Sequence, residues 1–210
     1  MSLLEQISEQ LQLGEHERVG ELTREALRQG VDPKELLDRG LIAGMNVIGE
    51  KFRAHEIFLP DVLLAAKAMY AGMDELKPLL VKAGIPTAGK VVLGTVQGDL
   101  HDIGKNLVAI MLRGAGIEVI DLGNDVAPER FIAAAEESEA SVIGMSALLT
   151  TTMPMMQRVT HLLRERGLAT RVRTIIGGAP VSAEYARQIG ADAYAYDGTN
   201  AVERIKALMA

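Results

Sequence analysis

The chain has no cysteine and no tryptophan among its 210 residues, and only three Phe and four Tyr. Without cysteine it can form no disulfide, no thiolate metal site and no iron–sulfur cluster, and it has no thiol nucleophile. With so few aromatic rings its core is aliphatic, drawn from the Ala, Leu, Ile, Val and Met in an apolar fraction of 48%. No apolar run reaches the roughly 18 residues of a membrane span. The first residues, with Glu5 and Glu9, lack the charged-then-apolar pattern of a signal peptide. An excess of basic charge is missing too, and a net charge of -6 argues against a nucleic-acid partner. These absences together predict a cytoplasmic protein that binds neither nucleic acid nor membrane. Also missing are the G-x-x-x-x-G-K-[ST] and G-x-G-x-x-G phosphate loops and the Gly-x-Ser-x-Gly elbow of hydrolases.

What is present divides in two. Residues 2–84 carry apolar stripes of helical period and no strand pattern. Leu3, Leu4, Ile7 and Leu11 form the first stripe; Val19, Leu22, Ala26 and Leu27 form the second, ended by Gly30 as a C-cap. Asp32-Pro33 opens a third helix, carried on by Leu36, Leu37, Leu41, Met45 and Ile48. A fourth runs from Leu59-Pro60 toward Leu80. Four helices with short connections predict a small bundle over 1–84. Gly84 to Gly89, with Pro86 between, interrupts both neighbouring patterns and sets a linker at 85–89.

From Lys90 to the end, over 90–210, strand and helix patterns alternate. Strands are expected at 90–96, 117–121, 141–146, 172–176 and 193–196, and helices at about 104–115, 128–138, 153–167, 182–189 and 199–208. This repetition predicts a flavodoxin/Rossmann-like five-stranded parallel sheet in the order 2-1-3-4-5, with helices on both faces. The loops after the first and third strands then flank the switch point, where such sheets bind ligands.

The loop after the first strand is Gly98-Asp99-Leu100-His101-Asp102-Ile103-Gly104. A histidine there can point at whatever fills the crevice, and a carboxylate two residues away can fix its tautomer. A lone surface histidine is the plainer reading. The loop after the third strand, Ser146 to Thr152, carries four hydroxyls that either cap the next helix or form a hydrogen-bonding wall. The pair Gly177-Gly178 either makes a turn or lets a bulky ligand lie against the backbone. Phe52, Phe58 and Leu59 belong to the bundle core or cover a cofactor held by the second domain.

Asp99-x-His101-x-x-Gly104, Ser146-x-Leu148 and Gly177-Gly178 together resemble the cobalamin-binding signature D-x-H-x-x-G, S-x-L, G-G. That signature occurs in methionine synthase, in corrinoid methyl-carrier proteins of methyltransferase systems and in some mutases. The stretches Gly44–Phe52 and Ile57–Leu63 are similar to the helical cap of methionine synthase-type modules, so the resemblance covers nearly the whole chain. It implies a cobalamin or related corrinoid cofactor, bound base-off with His101 as axial ligand to cobalt. Asp99 would accept the other imidazole N–H, and Thr152 would complete the relay of His101, Asp99 and a hydroxyl. The cofactor would meet Gly98, Asp99, Leu100, His101, Asp102, Ile103 and Gly104. Ser146, Leu148 and Thr150 would line the slot for its displaced nucleotide tail, and Gly177, Gly178 and Ala179 would admit the tail and the corrin edge. Phe52, Leu59 and Val62 match the cap positions over the methyl-bearing face.

The resemblance further implies a methyl carrier rather than a complete enzyme. Its donor would be a methylamine, methanol, betaine or methoxyaromatic compound. Its partners would be a substrate-specific methyltransferase, an acceptor methyltransferase and a reductive-activation protein. A cobalamin-dependent sensor or regulator is the alternative, since such proteins pair a similar bundle with this domain; the acidic charge fits DNA binding poorly. Mutases carry a barrel that this chain lacks room for, and receiver domains need a phospho-acceptor Asp where this chain has Ser146–Thr152.

Overall fold

In the computed structural model, the Asp32 side chain accepts from the backbone N–H groups of Lys34 and Glu35 at 2.9 and 3.0 Å, and Pro33 stands where no N–H is needed. The structure describes residues 1–83 and 89–210, the side chain of Val81 excepted, so the expected linker lies outside the described residues apart from Gly89. Two compact units result, Met1–Ala88 with Arg113–Gly116, and Gly89–Leu112 with Ile117–Ala210. Among the described residues no helix is long and apolar enough to cross a membrane.

The first unit is helical. Helix α1 (Leu3–Gln12) starts in a capping box made by Ser2 and Glu5 and buries Ile7 and Leu11. Helix α2 (His16–Arg28) buries Val19, Leu22 and Ala26. Helix α3 (Pro33–Glu35) passes into a π-helical stretch (Leu36–Ile42) and then into α4 (Ala43–Arg53). Helix α5 (Leu59–Lys82) buries Val62, Ala65, Ala68, Met69 and Leu76.

The stripe from Leu36 to Ile48 predicts one regular helix, and the π stretch departs from that. Its cause is packing. Residues five apart in an α-helix point about 140° away from each other. The wider π turn instead brings Leu36 and Leu41 both to full burial. Leu41 fits because Gly72 of α5 has no side chain; a Cβ there would lie 2.6 Å from Leu41 Cδ2.

The second unit alternates β1 (Lys90–Thr95), α6 (Ile103–Gly114), β2 (Glu118–Asp121), α7 (Pro128–Ser138), β3 (Val142–Ser146), α8 (Pro154–Glu165), β4 (Arg173–Gly177), α9 (Ala183–Ile189), β5 (Ala193–Ala195) and α10 (Gly198–Met209). The strands form one parallel sheet in the order β2-β1-β3-β4-β5, as the alternation predicts. Its core joins Val92, Ile143, Met145 and Ile176 of the sheet to Phe131 and Ile132 of α7 and Val159 and Leu163 of α8. Because β1 lies between β2 and β3, the loops after all three strands are neighbours at the carboxyl edge.

Candidate functional site

The chain turns sharply after β1. Gly98 takes φ +84°, and the Asp99 N–H donates to the Val96 carbonyl at 3.1 Å. This turn carries the Asp99 side chain inward to complete burial while the His101 side chain stays 53% exposed. Two residues of one loop therefore face opposite environments.

Among the described residues, hydrogen-bond donors surround the buried carboxylate. Oδ1 accepts from the His101 N–H at 3.0 Å and meets His101 Nδ1 at 2.8 Å. Oδ2 accepts from the N–H groups of Leu148 and Leu149 at 2.7 and 3.2 Å, and the Thr152 hydroxyl reaches it at 2.9 Å. The same hydroxyl lies 2.8 Å from the Leu149 carbonyl, and its single proton serves one acceptor at a time. Burial alone would raise the Asp99 carboxyl. The hydrogen bonds from the His101 and Leu148 amides, the His101 ring and Thr152 outweigh it and hold the carboxyl well below the usual carboxylate range.

An ionised carboxylate can only accept, so the proton of the neutral imidazole sits on Nδ1. That leaves the lone pair on Nε2, on an exposed ring. The chemistry available is a single, oriented nitrogen donor.

The rim of this edge exposes large apolar side chains. In the second unit the exposed large apolar side chains among the described residues are Leu100, Ile103, Leu148, Leu149 and Tyr196. They stand on or beside the loops after β1, β3 and β5, at the carboxyl edge of the sheet. Gly104, at the start of α6, has open space where a Cβ would project. Exposed apolar side chains gathered at one edge of a sheet are a feature of ligand or partner faces.

The expected residues are thus brought together in part. Asp99, His101, Leu148 and Thr152 form one hydrogen-bonded group. Gly177 ends β4, and Gly178 and Ala179 follow it. Gly178, at φ +125°, lies so near the β3 loop that a Cβ would come 1.9 Å from the Ala147 carbonyl oxygen. Ser146 ends β3, and Thr150 is exposed on its loop. The hydroxyl run does not cap α8, whose N-cap Met153 makes no side-chain cap bond.

Phe52 and Leu59, in the helical unit, are half-buried, while Phe58 is 67% exposed and so is not bundle core. Val62 is fully buried and has no surface to offer a ligand in this conformation. Sequence reasoning overlooked Asn124 and Asp125 after β2, and buried Lys105. The order 2-1-3 itself was the available signal for the first two, since it sets β2 beside β1.

A doubly wound sheet with an oriented imidazole at its switch point, joined to a helical unit, defines a ligand-binding α/β protein that meets its ligand at the carboxyl edge. Residues 89–206 match the B12 binding domain family, and residues 3–77 match a second family of the same description. The chain is 43% identical to trimethylamine corrinoid protein 1 of Methanosarcina acetivorans, over 93% of this chain and 91% of that one. It is 46% identical to dimethylamine corrinoid protein 1 of the same organism, over 86% and 85%. Among solved structures it resembles one chain of the methanol:cobalamin methyltransferase complex of Methanosarcina barkeri, with TM-score 0.89 and 33% identity, covering 99% of this chain and 79% of that one. The chain belongs to the B12-binding corrinoid proteins, and its cofactor is cobalamin or a related corrinoid. The residues present fit that group: one free nitrogen lone pair, exposed apolar side chains beside it, and open space over Gly104.

Proposed function

We propose that the chain carries a methyl group on a corrinoid between two methyltransferases, with His101 as the lower cobalt ligand in the base-off, His-on state. The observation that carries the reading is the Asp99–His101 contact of 2.8 Å, which leaves Nε2 free on an exposed ring. Bound, the corrinoid supplies a cobalt that accepts and releases a methyl group. His101 lends its Nε2 lone pair while the methyl is carried, and takes a proton at Nε2 when it lets go. Asp99 keeps the ring oriented throughout and stabilises the charge of the protonated form. Thr152 supports Asp99. The loop Gly98–Gly104 bears the corrin, Ser146, Leu148 and Thr150 receive the nucleotide tail, and Gly177, Gly178 and Ala179 admit it.

The helical domain, 1–84, then serves as a cap that shields the methyl with Phe52 and Leu59, joined through 85–89 to the corrinoid domain, 90–210. Val62 takes part only if the cap rearranges, which methyl delivery requires. The donor-side partner is a methyltransferase for a methylamine, methanol, betaine or methoxyaromatic compound. The relatives named for trimethylamine and dimethylamine favour the amines. An acceptor methyltransferase and a reductive-activation protein complete the cycle, in a cytoplasmic setting.

The test is electron paramagnetic resonance of the cobalt(II) form with nitrogen-15 histidine. Superhyperfine splitting that changes from three lines to two on labelling, and is lost in His101→Ala, is expected. Labelled and unlabelled spectra that coincide would overturn the ligation.

A further inference from the structure

We propose that Lys105 is a positioning residue: through Asp121 it locks the loop between β2 and α7, and that loop holds the segment leading into His101. The consequence for cobalt rests on the ligand reading above; the brace itself does not.

Lys105 is placed where physics disfavours it. It is the third residue of α6, where the helix dipole repels a cation, and its side chain is 1% exposed. All three ammonium protons are used. Nζ donates to Asp121 Oδ1 and Oδ2 at 2.6 and 2.8 Å and to Asn106 Oδ1 at 2.6 Å. An ion pair with one buried partner, Asp121 keeping 25% of its side chain exposed, is weak evidence for stability, because apolar residues can fill the same space. Its geometry here does something that apolar residues cannot, which is to fix the direction of the chain leaving β2.

From Asp121 the bonds run to the site. Asp121 Oδ1 also accepts from the Gly123 N–H at 2.9 Å, and the Gly123 carbonyl accepts from the Thr95 N–H at 2.9 Å. Asp125, in the left-handed region at φ +51°, accepts from the Gly98 N–H at 2.7 Å and donates its own N–H to the Asp99 carbonyl at 3.0 Å. Asn124 Nδ2 reaches the Leu100 carbonyl at 3.4 Å. Gly98, Asp99 and Leu100 are each held from this loop, and the Thr95 hydroxyl holds the His101 carbonyl at 3.1 Å. The Asp99 carboxylate fixes the ring; the β2–α7 loop fixes the backbone that carries it.

The experiment uses the full chain with Lys105→Met and the milder Asp121→Asn, which keeps an acceptor for Gly123. Amide hydrogen exchange on the cofactor-free protein should speed up at least tenfold at Gly98 and Asp125. Leu148, held by Asp99 from the other side, should stay protected. After loading with hydroxocobalamin and reduction, the ratio of histidine-on to histidine-off cobalt(II) signal at fixed pH should fall about tenfold. Wild-type exchange at Gly98 and Asp125 in a folded variant overturns the brace, and if Lys105→Met does not fold, Asp121→Asn decides. Faster exchange with an unchanged ratio overturns the link to His101. A wild-type spectrum without nitrogen splitting removes the ligand reading, while exchange still decides the brace.

Discussion

The Thr152 hydroxyl and Asp99 Oδ2, 53 positions apart in the chain, meet at 2.9 Å in the buried space between the β1 and β3 loops. The contact is one of the donors that keep a fully buried carboxylate ionised. Replacing Thr152 by Val keeps the shape and removes the donor. The cofactor-free protein should lose about 1.5–3 kcal/mol of stability, the worth of a hydrogen bond to a charged group, read as a lower urea midpoint at unchanged slope. Thr152→Ser should restore most of it.

Stability should depend on pH through Asp99. Its folded carboxyl lies well below the usual range, whereas in the unfolded chain it titrates near ~3.9. The folded state therefore holds its proton less tightly, so the Asp99 contribution is fully present above the unfolded value and is lost as pH falls below it toward the folded one. Comparing wild type with Asp99→Asn, the gap in urea midpoint should be widest near neutrality and should narrow below about pH 4. A gap that stays constant down to pH 3 would contradict the depressed carboxyl.

Two glycines at the same edge should respond differently to alanine. At Gly178 a Cβ meets the Ala147 carbonyl oxygen at 1.9 Å with φ at +125°, so the loop must move. Gly178→Ala should cost about 1–3 kcal/mol before any ligand is present. At Gly104 a Cβ meets nothing within 4 Å. Gly104→Ala should leave the cofactor-free protein as stable or slightly more so, since alanine suits a helix better. Its effect should appear as weaker corrinoid retention on gel filtration after reconstitution. Equal retention by Gly104→Ala and wild type would move the corrin away from the start of α6.

Much of this was legible in residue order because it rests on local chemistry. Asp32-Pro33 starts a helix and Gly30, at φ +82°, follows the end of one, whatever surrounds them. The switch from helical to alternating strand and helix periods separated bundle from sheet; right-handed crossovers left a few topologies, of which the flavodoxin-like order is the one expected and the one observed. Asp99, His101 and Gly104 could be singled out by their place after the first strand and by their likeness to the D-x-H-x-x-G signature, and the carboxylate does reach the imidazole.

The helices and strands, the π stretch excepted, and the loop that presents the histidine could be read from residue order, because they rest on neighbours along the chain. Long-range packing was needed to show that Thr152 reaches Asp99, that Lys105 is buried against Asp121, that Leu36–Ile42 winds as a π-helix to bury two leucines, and that Val62 is closed off. Each of these depends on which segments the sheet order and the packing of α5 bring face to face. A buried charge or a widened turn is stable only once distant groups arrive to satisfy it.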